Sequence, residues 1–97
     1  MIVKKKYQDL LLNIIQKHLP GSKVFLFGSQ ATGKATEASD IDLALDAGAT
    51  IPFNTIISIL AEIDETIIPI KIDLVDLNGI QESFKQAIID EGIIWKN

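Results

Sequence analysis

The sequence predicts an α/β fold, and three observations carry that prediction. Apolar residues recur at three- and four-residue steps in three segments, and they alternate or run together as β-formers in three others. The two kinds of segment interleave, in the order α-β-loop-β-α-β-α. Strands separated by a helix favour an α/β arrangement, while the short loop between the first two strands leaves their relative direction open.

The first helix is predicted over residues 5–19. Tyr7, Leu10, Leu11, Ile14, Ile15, His18 and Leu19 stack on one face, and Pro20-Gly21 ends it. Residues 23–27 (Lys-Val-Phe-Leu-Phe) are β-formers, apolar on both faces after Lys23, as a central strand requires. Residues 28–39 are small and polar without an apolar period, so they read as a loop with room for one helical turn. Residues 40–46 alternate strictly, with Ile41, Leu43 and Leu45 on one face and Asp40, Asp42, Ala44 and Asp46 on the other.

After a connection over residues 47–52, Asn54 suits an N-cap, and Ile56, Ile57, Ile59, Leu60, Ile63 and Ile67 give a second amphipathic helix closed by Pro69. Residues 70–77 alternate again, with Ile70, Ile72 and Leu74 opposite Lys71, Asp73 and Val75. A third helix is predicted over residues 80–90, burying Ile80, Phe84, Ala87 and Ile88 and stopping near Gly92. Ile93-Ile-Trp95 reads as a final strand or a docked end.

Composition narrows the function. Ninety-seven residues predict one domain over 1–97, with a single modest core. Nine Lys, no Arg and thirteen acidic residues leave a net charge of −4. Nucleic acid is therefore not an expected partner, because binding its backbone needs many cationic contacts; binding a cation suits the balance better. Without cysteine there is no disulfide framework, thiolate nucleophile or Cys-based zinc site. Apolar runs fall short of the ~18 residues a membrane span needs, so a soluble, cytoplasmic protein is expected.

The candidate chemistry lies in carboxylates. Asp40 and Asp42 sit two positions apart, so on a strand their side chains leave the same face with Cα atoms ~6.5–7 Å apart. Ala44 continues that face with a small side chain, and Asp73 occupies the same kind of position on the next strand. Gathered carboxylates repel one another and lose hydration unless a cation compensates. Mg²⁺ prefers oxygen ligands and takes few from protein, which leaves room for substrate phosphates. Taken singly, each Asp also fits a solvated surface charge. Gly28-Ser29 directly follows the first strand, where glycine allows close backbone approach and Ser29 adds a hydroxyl and an N–H for phosphate.

Together, Gly28-Ser29, ten intervening residues and Asp40-Ile-Asp42 form a G-S-x10-D-x-D motif. It resembles the signature of the polymerase β-type nucleotidyltransferases. Residues 25–43 are similar to the small MNT branch of that superfamily, and Lys71-Ile-Asp-Leu-Val-Asp76 resembles the strand carrying its third carboxylate, at Asp73. The resemblance covers nearly the whole chain. It implies a small mixed sheet with helices packed on one face and an open catalytic face. It implies transfer of a nucleoside monophosphate, usually AMP from ATP, to an acceptor hydroxyl.

On that resemblance Gly28, Ser29, Gln30 and Ser39 bind nucleotide, Asp40 and Asp42 hold Mg²⁺ or Mn²⁺, and Asp73 ligates metal or activates the acceptor. The implied partner is a HEPN-type toxin, silenced by adenylylation, or another acceptor protein. One departure is visible: Gln30 stands where the family often has Arg.

Two rival readings attach to the same residues. Gly28-x4-Gly33-Lys34 approaches a Walker A loop, but Ala35 replaces the Mg²⁺-ligating Ser or Thr, and an acidic strand follows where a helix belongs. A degenerate domain that holds a partner by contact, without transfer, is the other. His18, Lys4-Lys5-Lys6 and Trp95 read as structural, and the isoleucine-rich second helix as core or subunit contact.

Overall fold

The computed structural model describes residues 3–36 and 39–97. Helix α1 (Lys5–His18) leads into strand β1 (Lys23–Phe27), the single-turn helix α2 (Ser29–Thr32) and strand β2 (Ile41–Asp46). Helix α3 (Phe53–Asp64), strand β3 (Ile72–Asp76), helix α4 (Glu82–Glu91) and strand β4 (Ile93–Lys96) follow. The strands form one mixed sheet in the order β3-β2-β1-β4. β1 runs antiparallel to β2 and β4, whereas β2 and β3 are parallel, joined by α3 as the crossover that parallel strands require.

Alternation divides the sheet into two unlike faces. Val24, Leu26, Ile41, Leu43, Leu45 and Ile72 meet Leu11, Ile14 and Ile15 of α1 and Ile59 and Ile63 of α3 in the main core. The loss of water contact by these side chains supplies most of the stabilisation, at ~1.5–3 kcal/mol for each fully buried Leu or Ile. The opposite face is polar at one end, with Asp42 and Asp73, and apolar at the other, where Phe25, Ala44, Leu77 and Ile88 form a small second core. Glu62 of α3 fastens the end of α1: it accepts from Lys17 Nζ and bonds His18 Nε2 at 2.9 Å. His18 is thus structural, as its position on α1 suggests.

The expected arrangement of helices on one face holds for α1 and α3. α4 instead lies on the carboxylate face, because Ile88 packs on Phe25 and Ala44. Of the four residues expected in the core from the third predicted amphipathic helix, Ile88 is buried, Ile80, which precedes α4, is half-buried, and Phe84 and Ala87 are exposed. A helical period shows which residues share a stripe, but a helix laid along a groove buries only part of it.

Four of the element boundaries differ from the pattern in ways the contacts explain or the ranges show. Asn54 is not the N-cap of α3: the Pro52 carbonyl accepts from the Thr55 and Ile56 amides. The reason is tertiary, since buried Ile51 donates its N–H to Asp76 Oδ2 at 2.8 Å and fixes where the chain enters the helix. α3 ends at Asp64 rather than reaching Ile67, because the Thr66 hydroxyl donates to the Ile63 carbonyl at 2.6 Å and accepts the Ile68 amide. β3 and α4 are each shortened at their start, to Ile72 and Glu82. At the junction between them, Asp76 turns the chain by accepting the Asn78 amide on its side chain and the Gly79 amide on its carbonyl.

Candidate active site

The site assembles where β1, β2 and β3 end beside one another. Phe27 pairs with Asp42 across β1 and β2, and Asp42 pairs with Asp73 across β2 and β3. Cross-strand partners share a face, so Asp42 and Asp73 stand side by side and interact through their side chains. Asp42 is held above the usual carboxylate range, first by burial, then by the charges of Asp73 and Asp40, partly offset by Lys71. Lys71 Nζ lies 3.8 Å from Asp73 Oδ1. Alternation places Lys71 on the same face two residues before Asp73, and that spacing is the sequence signal for its charge acting there.

Asp40 differs slightly from its expected position. The β2 ladder begins at Ile41, whose N–H donates to the Lys71 carbonyl at 2.9 Å, so Asp40 precedes the strand. It remains close enough to act on Asp42 electrostatically. Among the described residues, no three His, Cys, Asp or Glu side chains are already gathered in metal-binding geometry. Asp42 and Asp73 are the assembled pair, with Asp40 beside them.

Gly28 brings backbone against this pair. It adopts φ 72° and ψ −155°, a region essentially reserved for glycine. A Cβ at this position would lie 2.4 Å from Asp42 Oδ2. Both facts require glycine, and together they let the chain leave β1 in contact with the carboxylate. Ser29 then opens α2, and the turn closes at Gly33 with a left-handed φ of 79°.

Gln30 and Ser39 are joined to each other. Gln30 is buried, and its Nε2 donates to the Ser39 carbonyl at 3.2 Å. The Ser39 hydroxyl accepts the Thr36 amide at 2.9 Å. These contacts brace the base of the loop against the start of β2. Glu37 and Ala38 of the same loop lie outside the described residues. The Walker A reading does not survive the fold: the helical turn precedes exposed Lys34 instead of following it, and the chain continues into β2, antiparallel to β1.

Comparison with known proteins agrees with this arrangement. The Polymerase beta, Nucleotidyltransferase family matches residues 10–96. The chain is 29% identical over 86 residues to the probable protein adenylyltransferase MntA of Haemophilus influenzae, covering 89% of this chain and 75% of that protein. Among solved structures, a chain of a toxin–antitoxin complex with AMP-PNP superposes with a TM-score of 0.78 at 22% identity, covering 91% of this chain and 71% of that one. A chain from a tri-AMPylated Shewanella oneidensis HEPN toxin in complex with MNT antitoxin gives 0.74 at 19% identity, covering 96% and 71%. At those identities the structural likeness speaks for the fold; the family match, spanning nearly the whole chain, speaks for descent. The chain belongs to the polymerase beta nucleotidyltransferase family.

Proposed function

We propose that the protein transfers AMP from ATP to a hydroxyl of a partner protein, a HEPN-type toxin, and so acts as the antitoxin of the pair. The observation that carries this reading is the register of Asp42 beside Asp73, with the Gly28 backbone against Asp42. The relative named a protein adenylyltransferase and the HEPN–MNT complexes of the same fold support the choice of donor and acceptor.

The donor set is oxygen only, and burial and like charge raise the Asp42 pKa. Such a set fits Mg²⁺ or Mn²⁺, which Asp42 and Asp40 would hold, with Asp73 as a further ligand. A bound cation would offset charge on the phosphates. Gly28 and Ser29 place two backbone N–H groups and a hydroxyl at the start of α2 for the phosphates, while Gln30 and Ser39 keep the loop in shape around them. Lacking the family's Arg, the loop leaves Lys71 as the cation closest in sequence to the acidic strand pair.

In the reaction the acceptor oxygen bonds to the α-phosphorus and the bond from that phosphorus to the bridging oxygen breaks. Pyrophosphate leaves, and the hydroxyl proton passes to Asp73. If Asp73 serves chiefly as a metal ligand, its loss weakens metal binding together with turnover, which separates the two roles. The test incubates the protein, ATP, Mg²⁺ and the protein encoded beside it, and reads intact mass for an added adenylyl group. Asp42→Asn and Asp73→Asn should abolish the addition. A neighbour that is bound and inhibited but never modified would replace this reading with neutralisation by contact.

A further inference from the structure

A cavity of about 290 Å³ opens next to Gly28, lined by Phe27, Gly28, Phe84, Ala87, Ile88 and Glu91. It shares the sheet face of the carboxylates, because Phe27 is the cross-strand partner of Asp42. The rings of Phe27 and Phe84 meet edge to face, with centroids 6.0 Å apart and planes at 81°. Phe84 nevertheless remains 45% exposed, on a helix whose Ile88 is buried. The core thus leaves much of this ring uncovered, and small Ala87 leaves space along the same wall.

The volume lies near the lower end of small-molecule sites, which run ~300–1,000 Å³. It suits one flat ring system better than a whole nucleotide. Gly28 lines both this cavity and the proposed phosphate loop, so a ligand whose phosphates rest at Ser29 can reach it directly. Asp73, on the far side of Asp42, marks the acceptor's approach. Strands β1 and β3 are separated by β2, and with ~4.8 Å between neighbouring strands they stand roughly 10 Å apart. The β1 side therefore falls to the donor. Among the described residues, Glu91 supplies the only charged group of the lining. An ionised carboxylate only accepts hydrogen bonds, which favours a base edge bearing an exocyclic amino group. Uracil offers one N–H between two carbonyls and pairs poorly with it.

We propose that the Phe27–Phe84 cavity holds the base of the nucleoside triphosphate and that Glu91 favours amino-bearing bases, adenine included. The proposal rests on the reading of the neighbouring residues as a nucleotide–metal site. Stacking on an aromatic side chain is sequence-tolerant and sensitive to truncation of the ring.

Titration calorimetry of the full chain with Mg²⁺ and ATP, UTP or inorganic tripolyphosphate tests it. Phe84→Ala should weaken ATP about tenfold (roughly 1.4 kcal/mol) and leave tripolyphosphate binding unchanged. Glu91→Gln should narrow the preference for ATP over UTP; an unaltered preference overturns the role of Glu91. Unchanged ATP affinity in Phe84→Ala overturns the base assignment while the metal–phosphate reading stands. If that variant instead loses only the transfer step, the cavity belongs to the acceptor, and equal losses for ATP and tripolyphosphate likewise overturn the proposal. A wild-type chain that binds neither ligand with Mg²⁺ brings down the underlying reading as well. The exposure of Phe84 makes the variant expected to fold, and its thermal transition checks this.

Discussion

Replacing Gly28 by Ala combines two costs that a second glycine allows to be separated. Gly28 and Gly33 flank the same short helix, and both have positive φ, 72° and 79°. Among the described residues a Cβ on Gly33 meets nothing within 4 Å, so Gly33→Ala carries backbone strain alone, about 1 kcal/mol for a left-handed residue. A Cβ on Gly28 would lie 2.4 Å from Asp42 Oδ2 and 3.3 Å from Asp42 Cγ. Its backbone strain is ~1–3 kcal/mol, since ψ lies in the region essentially confined to glycine. Pushing the Asp42 carboxylate off its rotamer adds ~0.5–1.5 kcal/mol. Gly28→Ala should therefore cost about 2–4 kcal/mol in urea denaturation, against about 1 kcal/mol for Gly33→Ala.

The displaced carboxylate has a second effect. Metal-dependent ATP binding should be lost in Gly28→Ala and kept in Gly33→Ala. A double mutant cycle isolates the contact: Asp42→Ala should recover the rotamer part of the Gly28→Ala cost, because the atoms that clash are gone. Equal destabilisation by the two glycine replacements, or a cycle with no coupling, would refute the reasoning.

Further expectations concern charge and the phosphate loop. The folded pKa of Asp42 lies above the unfolded value of 3.8, so its contribution to stability is fully present below 3.8 and is lost as pH rises through the folded pKa. In EDTA, Asp42→Asn should thus melt higher than wild type at pH 7, and the gap should close below 3.8; a lower melting point at pH 7 contradicts it. Asp46 behaves oppositely: bonds from Asn78 Nδ2 at 2.8 Å and the Gly48 amide at 2.9 Å hold its pKa below 3.8. Its contribution is present above 3.8 and lost as pH falls through the folded pKa, so Asn78→Ala should cost about 1–2 kcal/mol at pH 7 and less in acid. Ser29→Ala should weaken ATP binding more than Lys34→Ala, measured by calorimetry.

The placement of the candidate site's residues in the fold is largely legible because it depends on strand alternation and fixed spacing. A period of two puts Asp42 opposite Ile41 and Leu43 whatever surrounds the strand. The ten residues between Ser29 and Asp40 mark the motif without any knowledge of the loop's path. What escaped depends on partners distant in sequence. Asp40 continues the alternation on paper, but the ladder starts at Ile41 because Lys71 supplies the carbonyl there. Asn54 has the chemistry of a cap, yet Ile51 and Asp76 decide where the helix begins. The side of the sheet on which α4 lies is not written in its own period, and so Phe84 read as core while standing at the open side of a cavity. The sequence does not show that Gln30 is buried, with its Nε2 donating to the Ser39 carbonyl.

The pairing of β1 with β4 bears on how and when the protein becomes competent. Val24 pairs with Lys96, about three-quarters of the chain's length away, whereas β2, α3 and β3 are contiguous. Closing so long a loop costs more entropy than forming the local β-α-β unit, so folding should proceed from the middle outward. During synthesis β4 emerges after the other three strands, and until then β1, which delivers Gly28 to Asp42, lacks one of its two neighbours. The carboxylates can be in register before the loop that faces them is held firmly in place. Maturation of the site thus waits on the last residues of the sheet, and a nascent chain should gain nucleotide affinity only after β4 has cleared the ribosome.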